Sequence, residues 1–229
     1  MRFRVDVAAT EPEMAWADVH GAARSVVYDL ISAQDAELAT QLHDTGWNNS
    51  PLRPVGIRPP VFPNATRVKG RYATAGAGLL QLSSPVPRVA ACLLAGSAQR
   101  SQLRWGSSPL AVQGVQVAAT PDHTGGEAVL ETATPVVVKH DGRFLLPDDP
   151  GFTHRLEHNT ARKADVLGLD NEVDITVLKS GPRRRFSTPK GFRIGARVSV
   201  RMAAAPPLLD AIHDWGLGLA TNQGFGWIA

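Results

Sequence analysis

Residues 216–229 read GLGLATNQGFGWIA, two Gly-x-Gly pairs separated by five residues and followed almost at once by the end of the sequence. Glycine is favoured where the backbone turns through positive φ or passes close to another group. Chain ends are ordinarily loosely ordered, so four glycines interleaved with Phe225 and Trp227 predict a positioned loop instead of a tail. The stretch before it, PPLLDAIHDWG, has helical spacing, and QGFGWIA is predicted to be a last strand. The loop would therefore turn the chain from helix to strand.

Upstream of that helix the pattern continues backwards through strands ARVSVRM and DITVLKS, a helix GFTHRLEHNTARKADVLG and a strand AVLETATPVVVK. Strand, helix, two strands, helix, strand is the outline of a ferredoxin-like unit, the frame also used by RNA-recognition modules. The first half offers the same outline. Residues 2–8 alternate as a half-buried strand does, and Trp16 to Ile31 places Val19, Ala23, Val26, Val27 and Leu30 at helical spacing. Ser32 followed by Asp35 resembles a capping box that opens a second short helix, DAELATQLH, ended by the Gly, Asn and Pro of DTGWNNSP. Extended segments follow at RPVGIR, TRVKGRYAT and GLLQLSS, then a helix from Pro87 to Ala98 and strands at QLRW and LAVQGVQVAA. The cluster ATPDHTGGEA reads as a linker. The expected fold is α+β, two tandem ferredoxin-like βαββαβ domains at residues 1–120 and 121–229, the first carrying the candidate catalytic residues and the second a basic segment and the glycine loop.

The 229 residues, 43% of them hydrophobic, suffice for substantial cores. No run approaches the roughly 20 apolar residues of a membrane span, and the opening MRFRVDVAAT lacks a signal-peptide core, so a cytoplasmic protein without membrane contact is expected. A single cysteine, Cys92, allows no internal disulfide and no cysteine-held zinc, and in VPRVAACLLAGSA it reads as a small core residue. The net charge of +3 is unevenly spread. Between residues 179 and 201 stand eight basic residues, Lys179, Arg183, Arg184, Arg185, Lys190, Arg193, Arg197 and Arg201, and no acid; the rest of the chain holds 16 basic and 21 acidic residues. Such a segment suits a polyanion gripped through its phosphates.

Among seven histidines, His154 and His158 in HRLEH have the spacing of one zinc-protease motif, with Glu157 between them. A catalytic zinc needs a third protein ligand, and none stands in a suitable context. No G-x-S-x-G elbow and no phosphate-binding G-x-x-x-x-G-K-[ST] loop occurs. His43 closes a short helix just before the loop HDTGWNNSPLR, a position that favours a cationic ring. Tyr28, on the preceding helix, would offer a hydroxyl to it if the two helices form a hairpin.

The runs HGAARSVVYDLISAQDAELATQLHD, ATPVVV and above all GLGLATNQGFG resemble the CRISPR repeat-processing endoribonucleases of the RAMP superfamily, whose C-terminal loop has the form G-hydrophobic-G, five residues, G-hydrophobic-G. The resemblance spans nearly the whole chain in the order of its elements. It implies two tandem ferredoxin-like domains and metal-independent cleavage of precursor CRISPR RNA within each repeat. A ribose 2′-hydroxyl would attack the adjacent phosphate, leaving a 2′,3′-cyclic phosphate and a 5′-hydroxyl. In relatives with this kind of N-terminus a histidine after the second short helix and a tyrosine in the first form the acid–base pair; these fall on His43 and Tyr28. Where many relatives carry a lysine beyond the histidine, this chain has Asn49, and Arg53 is the nearest basic substitute. His20 is a second candidate acid or base.

The five-residue insert of the glycine loop is LATNQ, without the Lys or Arg common in relatives. RNA contact would then rest on Asn222, on backbone amides of Gly216, Gly218, Gly224 and Gly226, and on the basic stretch as a hairpin of the second domain. No cofactor or metal is expected; the partners implied are CRISPR repeat RNA and possible subunits of a CRISPR effector complex, with the chain a monomer or a homodimer. Two other readings stand beside this one: a non-catalytic guide-RNA-binding subunit, and a zinc metallohydrolase using His154, Glu157 and His158.

Overall fold

The structure, a computed structural model, describes residues 1–66, 68–188 and 191–229. The chain opens with β1 (Arg2–Ala9), β2 (Glu13–Met14), α1 (Trp16–Gly21), α2 (Ala23–Ser32), α3 (Ala36–Asp44), β3 (Gly56–Val61), β4 (Tyr72–Ala73), β5 (Gly76–Ser83), α4 (Pro87–Ala98), β6 (Gln102–Trp105) and β7 (Ser108–Val117). Strand β1 alternates, with Phe3, Val5 and Val7 buried. That face needs cover on one side and partners on both edges. It pairs antiparallel with β5 and β7, giving a sheet in the order β3-β5-β1-β7-β6. Helices α2 and α4 close the buried face with Val26, Val27, Leu30, Val89 and Leu93, all in one core cluster with the strand residues.

The second half contains β8 (Glu127–Glu131), β9 (Val138–His140), β10 (Arg143–Leu145), α5 (Phe152–Leu167), β11 (Val173–Ser180), β12 (Arg184–Thr188), β13 (Gly191–Gly195), β14 (Val198–Ala204) and α6 (Pro206–Trp215). Its sheet runs β11-β14-β8, and the chain end adds to the free edge of β8 through a bridge between Thr132 and Ile228. Phe152, Leu156, Leu208 and Ile212 from α5 and α6 pack with Ile175, Val200 and Met202 in a second core cluster. The fold is two tandem ferredoxin-like units.

Several local expectations change. The helix expected over Trp16 to Ile31 is interrupted at Ala22, just after Gly21, the weakest helix former in the run. The cap of α3 is Asp35 alone, whose carboxylate accepts from the Leu38 amide at 2.9 Å, while Ser32 belongs to the last turn of α2. Of TRVKGRYAT only Tyr72–Ala73 is a strand, and Arg67 lies outside the described residues. AVLETATPVVVK splits in two, because Pro135 has no N–H to give a ladder and Val136 pairs with Ala196 instead. QGFGWIA is not a regular strand: Gly224 and Gly226 stand at φ of 88° and 65°, outside the pleated region. Among the described residues no helix is long and apolar enough to cross a membrane.

The two units are joined through backbone carbonyls at the end of α6. Arg2 is buried, donating from Nε to the His213 carbonyl at 2.9 Å and from Nη1 to the Ile228 carbonyl at 2.8 Å, with its guanidinium 4.3 Å above the Trp227 ring. Burial lowers its pKa to about 10, still cationic at neutral pH. Thr221 Oγ1 adds a bond to the Val55 carbonyl at 2.8 Å. These ties fix the glycine loop and the end of the second unit against β1 and the segment before β3 of the first.

Candidate active site

Helices α2 and α3 form an antiparallel hairpin that brings Tyr28 and His43 together. The rings meet edge to face with centroids 5.4 Å apart and planes at 72°. Beyond the pair, Gly46 ends α3 with a left-handed residue: at φ 82° its amide bonds back to the Gln41 carbonyl at 3.0 Å, and a Cβ there would collide with the Ser50 and Leu52 carbonyls. The chain then doubles back through Asn48 and Asn49, both left-handed, and returns Arg53 to the pair.

Arg53 holds the group together. Its Nε donates to the Tyr28 hydroxyl at 3.0 Å and its Nη2 to the His43 carbonyl at 2.6 Å. The Tyr28 hydroxyl donates onward to the Leu42 carbonyl at 3.2 Å, a long bond. His43 Nδ1 lies 2.8 Å from Asp44 Oδ1, and the ring is exposed. With Nδ1 donating to that carboxylate, the neutral ring presents the Nε2 lone pair to solvent. The φ of 59° at Asn49 also explains the missing lysine: asparagine tolerates this conformation and long side chains disfavour it.

Beside this group opens a cleft of about 350 Å³ between the two units, lined by Arg24, Arg53, Lys139, Lys163 and Arg193 together with Asn222 and the loop residues Gly218 to Gln223. Among the described residues five basic side chains line it and no acidic one does. Arg53 belongs to both the cleft and the His43 group. Arg24 adds a cation 5.5 Å from the Tyr28 ring centroid. The arrangement can hold a phosphate between the two units with an imidazole and a phenol beside it.

The glycine loop forms the cleft's far wall, folded tightly on itself. Gly216, Gly218, Gly224 and Gly226 all have positive φ and are buried. At the neck, the Leu217 amide donates to the Gly226 carbonyl at 2.8 Å and the Gly226 amide to Pro135 at 2.9 Å; a Cβ on Gly216 would stand 2.7 Å from the Gly226 oxygen. Phe225 and Trp227 anchor it as expected, each about 1% exposed. The expectation of amides offered to an anion is corrected for three glycines: the N–H groups of Gly216, Gly224 and Gly226 are spent on Ile212, Thr221 and Pro135.

The family model described as CRISPR associated protein Cas6, C-terminal matches residues 118–229, which hold this loop and the cleft wall behind it. Over these residues, just under half of its length, the chain is similar to the Cas6 family. Among solved structures, a Cas6-related protein from Pyrococcus furiosus matches with a TM-score of 0.84 at 16% identity, covering 100% of this chain and 97% of the other. A RAMP protein described as binding different RNA substrates matches at 0.82 and 19%, with 100% and 98% covered. A Thermus thermophilus Cas6 product complex matches at 0.66 and 18%, again over 100% and 98%. No curated protein sequence matches the chain.

The remaining sequence-predicted residues fall into three groups. His20 is not beside His43: it is buried, stacked on Phe225 at 4.3 Å and 11°, edge-on to Phe186 at 4.7 Å, with Nδ1 3.2 Å from the Gln223 carbonyl. Burial lowers its pKa to about 4, which suits a ring that wedges the loop in place. The basic stretch is indeed a hairpin, β12 paired with β13, in which Phe186 faces His20 and its cross-strand partner Arg193 lines the cleft. Arg183, Arg184 and Arg185 are exposed, Arg185 lying 4.2 Å over Phe192; Arg197 is exposed, and Arg201 sits on β14, 3.7 Å from Glu127. Lys190 lies outside the described residues.

The residues of the zinc motif belong to no three-ligand cluster among the described residues. His154 and His158 are exposed, and Glu157 accepts the Ile175 amide at 3.0 Å. Among the described residues no group of three His, Cys, Asp or Glu side chains could hold a metal ion. Sequence reasoning missed Arg24, Lys139 and Lys163. For Lys163 a signal existed: it falls in the apolar stripe of α5, in helical register with Phe152, Leu156 and Thr160.

Proposed function

We propose that this chain is a CRISPR repeat endoribonuclease that cleaves precursor CRISPR RNA without a metal ion, with the two domains dividing near residue 120. The observation that carries the reading is the convergence of His43, Tyr28 and Arg53 beside a cleft whose charged lining, among the described residues, is basic. The RNA substrates and products named for structural relatives support an RNA ligand for that cleft.

In the proposed reaction His43 Nε2 accepts the proton of the 2′-hydroxyl as its oxygen attacks the adjacent phosphorus. Tyr28 gives a proton to the departing 5′-oxygen, exchanging its long bond to the Leu42 carbonyl for one to the leaving group. Arg53, with guanidinium N–H groups beyond those spent on Tyr28, Pro51 and His43, stabilises the crowded phosphorane. The exposed arginines of the β12–β13 hairpin neutralise the flanking RNA.

The test is incubation with the host's repeat RNA in excess EDTA and analysis of the ends. Cleavage at one position, with a 2′,3′-cyclic phosphate and a 5′-hydroxyl, supports the reading. Repeat RNA bound tightly but left intact favours a guide-RNA-binding subunit, a role consistent with an Arg53 already occupied by three protein acceptors. Activity abolished by EDTA rejects the metal-free reaction.

A further inference from the structure

The floor of the cleft carries a cation that the chemistry above does not use. Lys163 projects from the buried stripe of α5 and is 3% exposed, yet lines the cavity. A buried ammonium is costly unless its three N–H groups and its charge are matched. One donates to the Gly216 carbonyl at 2.6 Å, and the indole of Trp215 lies 5.1 Å away. Among the described residues no carboxylate approaches it, and its pKa falls to about 7 from burial alone. Four further basic groups line the same cleft: Arg24 from α2, Arg53 from the loop after α3, Lys139 from β9 and Arg193 from β13.

Taking the cleft as the RNA site just proposed, we infer that Lys163 is an RNA-phosphate ligand at the floor of that cleft, completed as a cation when the phosphate enters. A phosphate is the partner the geometry lacks: it would accept from the remaining ammonium protons and bring a negative charge to a lining that holds five basic side chains. The Gly216 bond gives Lys163 a second consequence, because the same Nζ that meets the RNA holds the first glycine of the loop. Binding is then linked to uptake of one proton at neutral to mildly alkaline pH, where the free side chain is losing its own.

The experiment measures the affinity of the full chain for repeat RNA from pH 6.5 to 9. It is run in a His43→Ala background, so that neither cleavage nor that imidazole contributes; His20, already neutral above its pKa of about 4, is silent in this range. With Lys163 intact, Kd should rise about tenfold per pH unit above 7, the slope of one linked proton. Lys163→Met, which keeps an apolar stem against Trp215, should bind more weakly at pH 6.5 and lose that slope. Lys163→Arg, with a charge that does not titrate, should bind tightly across the range with little slope, and guards against a Met variant that fails to fold. A slope retained in Lys163→Met or Lys163→Arg overturns the inference. So does a flat profile with Lys163 intact. The wild-type chain, assayed alongside for cleavage, reports separately on the endoribonuclease reading, and absence of RNA binding at pH 6.5 would remove both.

Discussion

Gly226→Ala separates packing from RNA contact in the glycine loop. An L-residue held at the φ of 65° found there costs about 1 to 2 kcal/mol. The added Cβ would overlap the Leu217 carbonyl oxygen and stand 2.9 Å from the Leu217 carbonyl carbon. Relief requires the neck of the loop to open. That forfeits the bonds from Leu217 N to Gly226 O and from Gly226 N to Pro135 O, at about 1 kcal/mol each. The combined loss is about 3 to 4 kcal/mol, a large part of the roughly 5 to 15 kcal/mol that holds a typical protein folded. At about 2 to 4 °C per kcal/mol for a chain of this size, thermal unfolding should fall by about 6 to 16 °C. Below that transition, affinity for uncleavable repeat RNA should change less than about threefold, since the amide replaced was already spent on protein. An unchanged melting temperature with RNA affinity reduced tenfold or more would refute the reasoning and return the glycine to the RNA surface.

Three further outcomes are expected. His43→Ala should slow single-turnover cleavage by about a hundred- to ten-thousand-fold while leaving RNA affinity intact, as loss of one proton-transfer group does; a normal rate removes His43 from the mechanism. His20, with its folded pKa lowered from 6.5 to about 4 by burial, takes up a proton on unfolding anywhere between those values. Stability present above pH 6.5 should therefore fall as the pH drops toward 4, by at most about 3.5 kcal/mol at about 1.4 kcal/mol per unit. His20→Phe, which keeps an aromatic ring against Phe225, should lose this part of the acid sensitivity, and identical acid unfolding curves would contradict it. Replacing Arg183, Arg184 and Arg185 together by Gln should lower the salt slope of RNA binding by about 2, from roughly 0.7 per released counterion; an unchanged slope would place the RNA elsewhere.

The tandem outline was legible because its signals are periodic and local. Alternation in Arg2–Ala9 and helical stripes in α2, α4 and α6 each bury one face, and such faces determine layers directly. Tyr28 and His43 could be paired on paper because a short helix hairpin joins them, and Arg53 was reached only as the nearest basic residue to an expected lysine; the Gly46 turn that returns it to the pair is a feature of the structure. What could not be read is set by distant partners. The amides of the glycine loop looked free until Pro135, remote in sequence, claimed one of them. His20 looked like an acid–base group until the far end of the chain buried it against Phe225. The register of Lys163 in the α5 stripe marks it as buried, but the cleft it floors is assembled from both units and has no local signal.

The most direct test of the central claim is single-turnover cleavage of two repeat RNAs that differ by one atom, the 2′-oxygen of the nucleotide before the scissile phosphate. The proposed chemistry predicts a single cut in EDTA for the all-ribose RNA and none for the deoxy RNA, with equal binding of both. Cleavage of the deoxy RNA at a similar rate would contradict attack by the 2′-hydroxyl and, with it, the assignment of His43, Tyr28 and Arg53.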